Sequence, residues 1–163
     1  NLHDVVLLAP LTGARRGEIC GLRWRDVDLK NRTVTFVQTK NGEIRKVPLS
    51  DQAIALLRCR FSQRVKGMND WVFPAEKSEG PVDVSHRFGR YAKKAGLEDF
   101  RFHDLRHSAA SAMARAGVPE RQMQEVLGHK SVAMTKRYTH LRPSELDGAV
   151  AAMGTSIKNQ GEE

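Results

Sequence analysis

Cysteine is scarce in this sequence: Cys20 and Cys59 are the only two among 163 residues, far apart and set among helix-forming neighbours. That excludes a disulfide framework and a CxxC metal or redox site, and it favours a reducing, cytoplasmic setting. Long apolar runs are missing as well. None approaches the roughly 20 residues that span a bilayer, and the opening NLHDVVLLAPLTG lacks the charged start and small-residue cleavage site of a signal peptide. Membrane association is therefore not expected. Aromatics make up 6% of the chain, too few for stacking platforms that hold single-stranded bases.

What the chain does have is positive charge. Twenty-seven Lys and Arg against 19 Asp and Glu give a formal net charge of +8, and the isoelectric point is about 9.9. Such an excess points to a polyanionic partner. The basic residues are scattered from Arg15-Arg16 to Lys136-Arg137 instead of forming one tail, which suits a folded surface against duplex backbone.

At this length one domain is the default, with a core large enough to need no disulfide or metal. Leu2 to Leu11 reads as a helix closed near Gly13, and a second helix covers Glu18 to Leu22. The period then changes. Thr33 to Val37 alternates and is β-branched, Lys40-Asn41-Gly42 carries an Asn-Gly turn, and Ile44 to Leu49 alternates again, so an antiparallel hairpin is expected. Ser50 or Asp51 caps a helix over Gln52 to Val65 with Ile54, Leu57 and Phe61 on one face. Trp71 to Pro74 is a short strand or an apolar plug. Further helices fall over Ser85 to Ala95, His103 to Ala116 and Pro119 to Leu127, then a short one from Ser131 to Tyr138 and another after Pro143. The fold class is α+β, mostly α-helical, with a small antiparallel sheet at one edge.

Four stretches carry chemistry. HDLRH, His103 to His107, opens a helix whose expected buried stripe is Leu105, Ala109, Ala112, Met113 and Ala116. His103 and Arg106, three apart, share a face at its positive N-terminal end, where a phosphate is at home. A zinc site using His103, His107 and His129 is the rival, but Arg106 stands between the first two as a fixed cation, and no carboxylate has the spacing of a zinc helix motif. TGARRGEI places Arg15, Arg16 and Glu18 just after a glycine turn; arginine suits bidentate clamping of phosphate oxygens, and the glutamate can hold an arginine in place. The hairpin TKNGEIRKVPL adds a lysine on its turn. Finally, LGHKSVAMTKRYTH sets His129 nine residues before Tyr138.

Taken together, TGARRGEI, TKNGEIRKVPL, HDLRHSAASAMARAGV and LGHKSVAMTKRYTH resemble in order and spacing the catalytic domain of tyrosine recombinases, the phage-integrase family. The resemblance runs from about Leu2 to about Met153. It implies that Arg15 and Arg106 clamp the non-bridging oxygens of the scissile phosphate, that Tyr138 is the nucleophile, and that His103 handles a proton near it. His129 would hydrogen-bond the phosphate, Lys40 would protonate the leaving 5′ oxygen, and Glu18 stands at the family's acidic supporting position. Arg16, Arg45, Lys130 and Lys136 are added as candidate DNA-binding cations. His107 and His140 fit the flanking pattern, with surface or capping roles equally open.

The implied chemistry agrees with the residue types. Transesterification at a phosphodiester builds extra negative charge in the transition state, which fixed cations stabilise without a metal. A tyrosine with a pKa of about 10 needs a base or a positive site to attack at neutral pH. A phosphotyrosine link retains the bond energy for rejoining, which agrees with the lack of a GxxxxGK[ST] loop. The resemblance therefore implies site-specific recombination without cofactor or metal, on double-stranded DNA, by a monomer that assembles as a tetramer there. Family members usually carry a core-binding domain ahead of the catalytic one; none precedes Asn1, so residues 1–163 read as the catalytic domain alone. The tail from about 143 to 163 either packs on a neighbouring protomer or folds back. A non-catalytic DNA-binding relative is the alternative reading.

Overall fold

The computed structural model describes residues 1–37, 44–64, 70–76, 78–129 and 131–141. The hairpin turn with Lys40, Lys130 and the tail from 142 lie outside them. Among the described residues, seven α-helices and a three-stranded antiparallel sheet follow in the order α1 (Leu2–Thr12), α2 (Arg16–Cys20), β1 (Val27–Asp28), β2 (Thr33–Val37), β3 (Ile44–Pro48), α3 (Asp51–Ser62), α4 (Ser85–Lys94), α5 (Phe102–Arg115), α6 (Glu120–Leu127) and α7 (Val132–Lys136). The α+β reading with helices in the majority holds.

Most of the structure is one core. Val5, Leu8 and Ala9 of α1 are fully buried, in one cluster with Val34 and Phe36 of β2, Val47 of β3, Leu57 of α3 and Val84 before α4. Each large side chain so buried contributes about 1.5–3 kcal/mol. The sheet runs β1-β2-β3, and β2 pairs with β3 so that Val34 faces Val47 and Phe36 faces Arg45. Partners in register share a face. Arg45 therefore points inward beside Phe36, its guanidinium carbon 4.8 Å from the ring centroid.

A second, smaller cluster joins Ala110 and Ala114 of α5 to Met123 and Leu127 of α6, with Met113, Val118, Tyr138 and Leu141 packed on it. Helix α5 thus has the main core on one side and α6 on the other. This corrects its expected stripe: Phe102, Arg106, Ala109, Ala110 and Ala114 are the buried residues, while Ala112 and Ala116 are exposed. The apolar count had left out Arg106, a cation at the centre of the buried face.

Other boundaries also move. Helix α2 starts at Arg16 and stops at Cys20, two residues earlier than expected at each end, because Arg15 is extended (φ −73°, ψ 153°) and takes the N-cap position. Strand β1, two residues long, was not anticipated; it pairs Val27 with Val34 and Asp28 with Thr33. Ser50 does cap α3, its hydroxyl accepting from the Ala53 amide at 3.3 Å. Phe61, expected on the buried face of α3, is 43% exposed and meets Trp24 edge-on at 5.1 Å. The Trp71 to Pro74 segment is a plug, with Val72 and Phe73 buried and single bridges at Trp71 and Pro74. Helix α7 is shorter than expected, ending at Lys136, and Ser131 stands at its N-cap without a side-chain capping bond.

Candidate active site

Two helix ends build the floor of the site. Helices α1 and α6 both close on left-handed glycines, Gly13 at φ 62° and Gly128 at φ 63°. Each is pressed against a neighbouring element. A Cβ on Gly13 would lie 2.6 Å from Leu127 Cδ2, and one on Gly128 would lie 3.1 Å from Arg45 Cδ and Nη1. Their carbonyls, turned out of the helices, anchor the two arginines: Arg106 Nη1 donates to the Gly13 carbonyl at 2.7 Å, and Arg15 Nη2 to the Gly128 carbonyl at 3.0 Å. Each guanidinium thus has one edge fixed by backbone.

Glu18 braces this pair from behind. Its carboxylate accepts from the Arg15 amide at 2.6 Å and from Arg15 Nη1 at 3.1 Å. It also takes a two-pronged bond from Arg45 at 2.8 and 2.9 Å. Burial alone would raise this carboxyl, but the hydrogen bonds from Arg45 and the Arg15 amide, with both guanidinium charges, hold it below the usual glutamate range. Arg45 is therefore spent inside the domain, its side chain 10% exposed, rather than standing on the surface as a DNA-binding cation. Its Nε is buried with no hydrogen-bond partner.

Arg106 is 4% exposed. Burial, then the charges of Arg15 and Arg45, lowers its pKa to about 10, so it stays a cation at neutral pH. His129 follows Gly128, its ring Nδ1 3.0 Å from the Thr135 hydroxyl of α7 and its carbonyl accepting from Gln124 at 3.1 Å. Burial, followed by the charges of Arg106 and Arg15, brings its pKa down to about 4. The imidazole is neutral at pH 7; in the tautomer whose Nδ1 accepts from the threonine hydroxyl, Nε2 carries the proton and can donate to an anion.

Tyr138 sits past α7, its amide bonded to the Thr135 carbonyl at 3.0 Å, and its half-buried ring rests on the second cluster. The hydroxyl hydrogen-bonds His107 Nδ1. Burial raises the phenol's pKa above its ordinary value, with Arg106 and Arg137 pulling the other way. His103 is exposed and lies edge-on to His107, ring centroids 4.8 Å apart; partial burial and then the charges of His107 and Arg106 lower its pKa.

Arg15, Glu18, Arg106, His129 and Tyr138 thus reach one place from four segments, with His103 at its rim. Arg16 and Lys136 are exposed, and Arg16 joins Arg15, Arg101 and His103 around a shallow pocket of about 380 Å³. Lys40 and Lys130 fall outside the described residues. Sequence reasoning missed two roles. Arg45 was readable from alternation, since it shares the parity of buried Val47. The His107 contact was signalled by the flanking pattern and by the four-residue spacing from His103, which left surface or capping roles equally open. Among the described residues, no three His, Cys, Asp or Glu side chains form a metal-holding group.

What the arrangement can do is bind a phosphate between two anchored arginines and a neutral imidazole, beside a phenol already engaged by a histidine. Known proteins share the frame. The model of the phage integrase family matches residues 2–145. The integrase of Salmonella phage P22 is 35% identical over 178 aligned residues, covering 97% of this chain and 45% of that protein. A shufflon-specific DNA recombinase of Escherichia coli is 34% identical, over 89% of this chain and 36% of its own length. The chain spans less than half the length of these curated relatives. Among solved structures, the catalytic domain of bacteriophage HP1 integrase aligns with a TM-score of 0.69 at 29% identity, over 91% of this chain and 79% of that one. XerH recombinase bound to its difH substrate aligns at 0.73 and 26%, over 92% and 46%. With the family model matched over nearly its whole length and the arginine, histidine and tyrosine segments converging on one site, this chain belongs to the phage integrase family.

Proposed function

We propose that this chain is the catalytic domain of a site-specific recombinase that cuts and rejoins double-stranded DNA through a 3′-phosphotyrosyl link at Tyr138. The observation that carries the reading is the convergence of Arg15, Arg106, His129 and Tyr138: both arginines, anchored at helix ends, act on His129, and Arg106 acts on Tyr138. The arginines hold the non-bridging oxygens of the scissile phosphate and take up charge as it grows in the transition state. Because both are already anchored by glycine carbonyls, little reorganisation is needed when DNA arrives. His129, neutral, adds a hydrogen bond rather than a third fixed charge.

Attack by the Tyr138 oxygen leaves phosphate on the tyrosine and frees a 5′ hydroxyl; Lys40, between β2 and β3 in the sequence, is the proposed donor to that oxygen. Reversal by another 5′ end rejoins strands with no energy source. Arg16 and Lys136, exposed near the site, are proposed to contact flanking phosphates, as is Lys130. Relatives in this family are named as integrases and recombinases, and XerH was solved with its DNA substrate; duplex DNA is accordingly the proposed partner, with assembly of several copies on it.

The test is covalent capture on nicked duplexes in the presence of EDTA. Wild-type chain is expected to form an adduct that survives denaturation, and Tyr138→Phe to form none. An adduct of equal yield from the phenylalanine variant rejects Tyr138 as nucleophile. DNA binding with no adduct under any condition favours a non-catalytic relative.

A further inference from the structure

Family resemblance assigns proton handling to His103, yet the side chain that touches Tyr138 is His107. Its Nδ1 bonds the phenolic oxygen, and the two rings lie 6.1 Å apart, tilted by 37°. His103 meets His107 edge-on. On α5, positions 103 and 107 are one turn apart and share a face, so the outer histidine covers the inner one. His107 is half-buried, whereas His103 is exposed.

We propose that His107 is the catalytic base that takes the Tyr138 proton during strand cleavage and returns it during rejoining, with His103 as its solvent-side neighbour. The proposal rests on the recombinase reading above. As the tyrosine oxygen bonds to phosphorus, its proton passes to Nδ1 and His107 becomes an imidazolium. The bond from phosphorus to the 5′ oxygen breaks, and that oxygen takes a proton from a separate donor, for which Lys40 is the candidate. On rejoining, the 5′ hydroxyl gives its proton back to the lysine amine and attacks phosphorus, and the imidazolium reprotonates the departing tyrosine. No proton is gained or lost over the cycle.

The surroundings suit this role. A half-buried phenol whose pKa is raised by burial does not ionise unaided near neutrality, so an acceptor in direct contact matters more than distant charge. The groups shown against His107 are His103 from its own helix, His129 from the end of α6, and Tyr138 from the turn after α7. The positive phosphate site is thus kept apart from proton transfer, which is left to a group that can change charge.

Two measurements on this chain test the assignment. Without DNA, ¹⁵N NMR of the histidine rings is expected to show His107 Nδ1 unprotonated and to lose that preference in Tyr138→Phe; a protonated Nδ1 at neutral pH in the wild type makes it a donor to the phenol and overturns the assignment of His107 as base. With DNA, the chain is allowed to capture its own substrates from a nicked-duplex pool with a randomised centre, and one captured sequence is then used for single-turnover rates. His107→Gln is expected to slow adduct formation about 100-fold or more near pH 7. Its rate should climb about tenfold per pH unit, following phenolate, while the wild-type rate levels off once the histidine is neutral. Added imidazole should restore His107→Gly. A His107→Gln profile parallel to wild type, with no imidazole rescue of His107→Gly, rejects His107 as base while leaving the recombinase reading intact. Absence of any wild-type adduct instead rejects that reading, and the transfer step with it.

Discussion

Arg45 shows how one residue's parity outranks its charge. It sits two positions before buried Val47 on β3, so the pleat sends it into the domain, where it meets Glu18 with two hydrogen bonds. Removing Arg45 strips these two charge-assisted bonds from a buried carboxylate and leaves Arg15 as its cation, at a cost of about 1.5–3 kcal/mol. Arg45→Ala should therefore lower the urea midpoint markedly, and Lys136→Ala, at an exposed position, should leave it unchanged. Equal small effects from both would mean that the Glu18 bridge contributes little. His129 gives a pH signature. Its pKa is about 4 in the fold against about 6.5 in the unfolded chain. Between those values the unfolded chain binds the proton and the fold does not, so stability is full above pH 6.5 and declines as pH falls towards 4. His129→Gln should flatten that part of the stability profile, and NMR titration of the wild-type ring should find it neutral at pH 6. A midpoint near 6.5 would contradict the buried, cation-flanked placement.

Among the elements, those with strong local patterning were legible and those set by tertiary contact were not. Helix α1, its glycine cap, β2, β3 and the Ser50 cap follow from alternation and capping chemistry alone. Strand β1 is two residues long and exists only because β2 lies beside it. The buried face of α5 was misplaced because its central residue is an arginine, neutralised in packing terms by a carbonyl that belongs to another helix. That carbonyl comes from Gly13, where φ is 62° and a Cβ would press on Leu127. Gly13→Ala combines left-handed strain of roughly 1–2 kcal/mol with a collision at the α1–α6 contact. It should lower thermal stability and reduce cleavage more than the stability loss explains, since it shifts the carbonyl that holds Arg106. Unchanged cleavage at full folding would show that Arg106 does not depend on this anchor.

For the whole molecule, two clusters divide the labour. The larger core carries α1, the sheet and α3, and so places Arg15, Glu18 and Arg45; the smaller one, between α5 and α6, carries Tyr138. The ordered motifs identified the members of the site, since each comes with its own helix or turn signal. They did not reveal how the members meet, because the contacts between Gly13 and Leu127, Gly128 and Arg45, or His107 and Tyr138 join residues distant in sequence. The net charge of +8 sets a further expectation: the logarithm of the DNA association constant should fall linearly with that of salt concentration, with a slope of about −0.9 per phosphate neutralised. Arg16→Ala and Lys136→Ala should each make the slope shallower by about one phosphate's worth. A salt-independent affinity would contradict backbone contact.

The central claim is that Tyr138 attacks DNA. The most direct measurement is mass spectrometry of the denatured, nuclease-trimmed and protease-digested adduct formed in EDTA. The account predicts one modified peptide, with a nucleotide joined through its 3′ phosphate to Tyr138. A nucleotide on any other side chain, a 5′-phosphate link, or an adduct that forms only with divalent metal would contradict it.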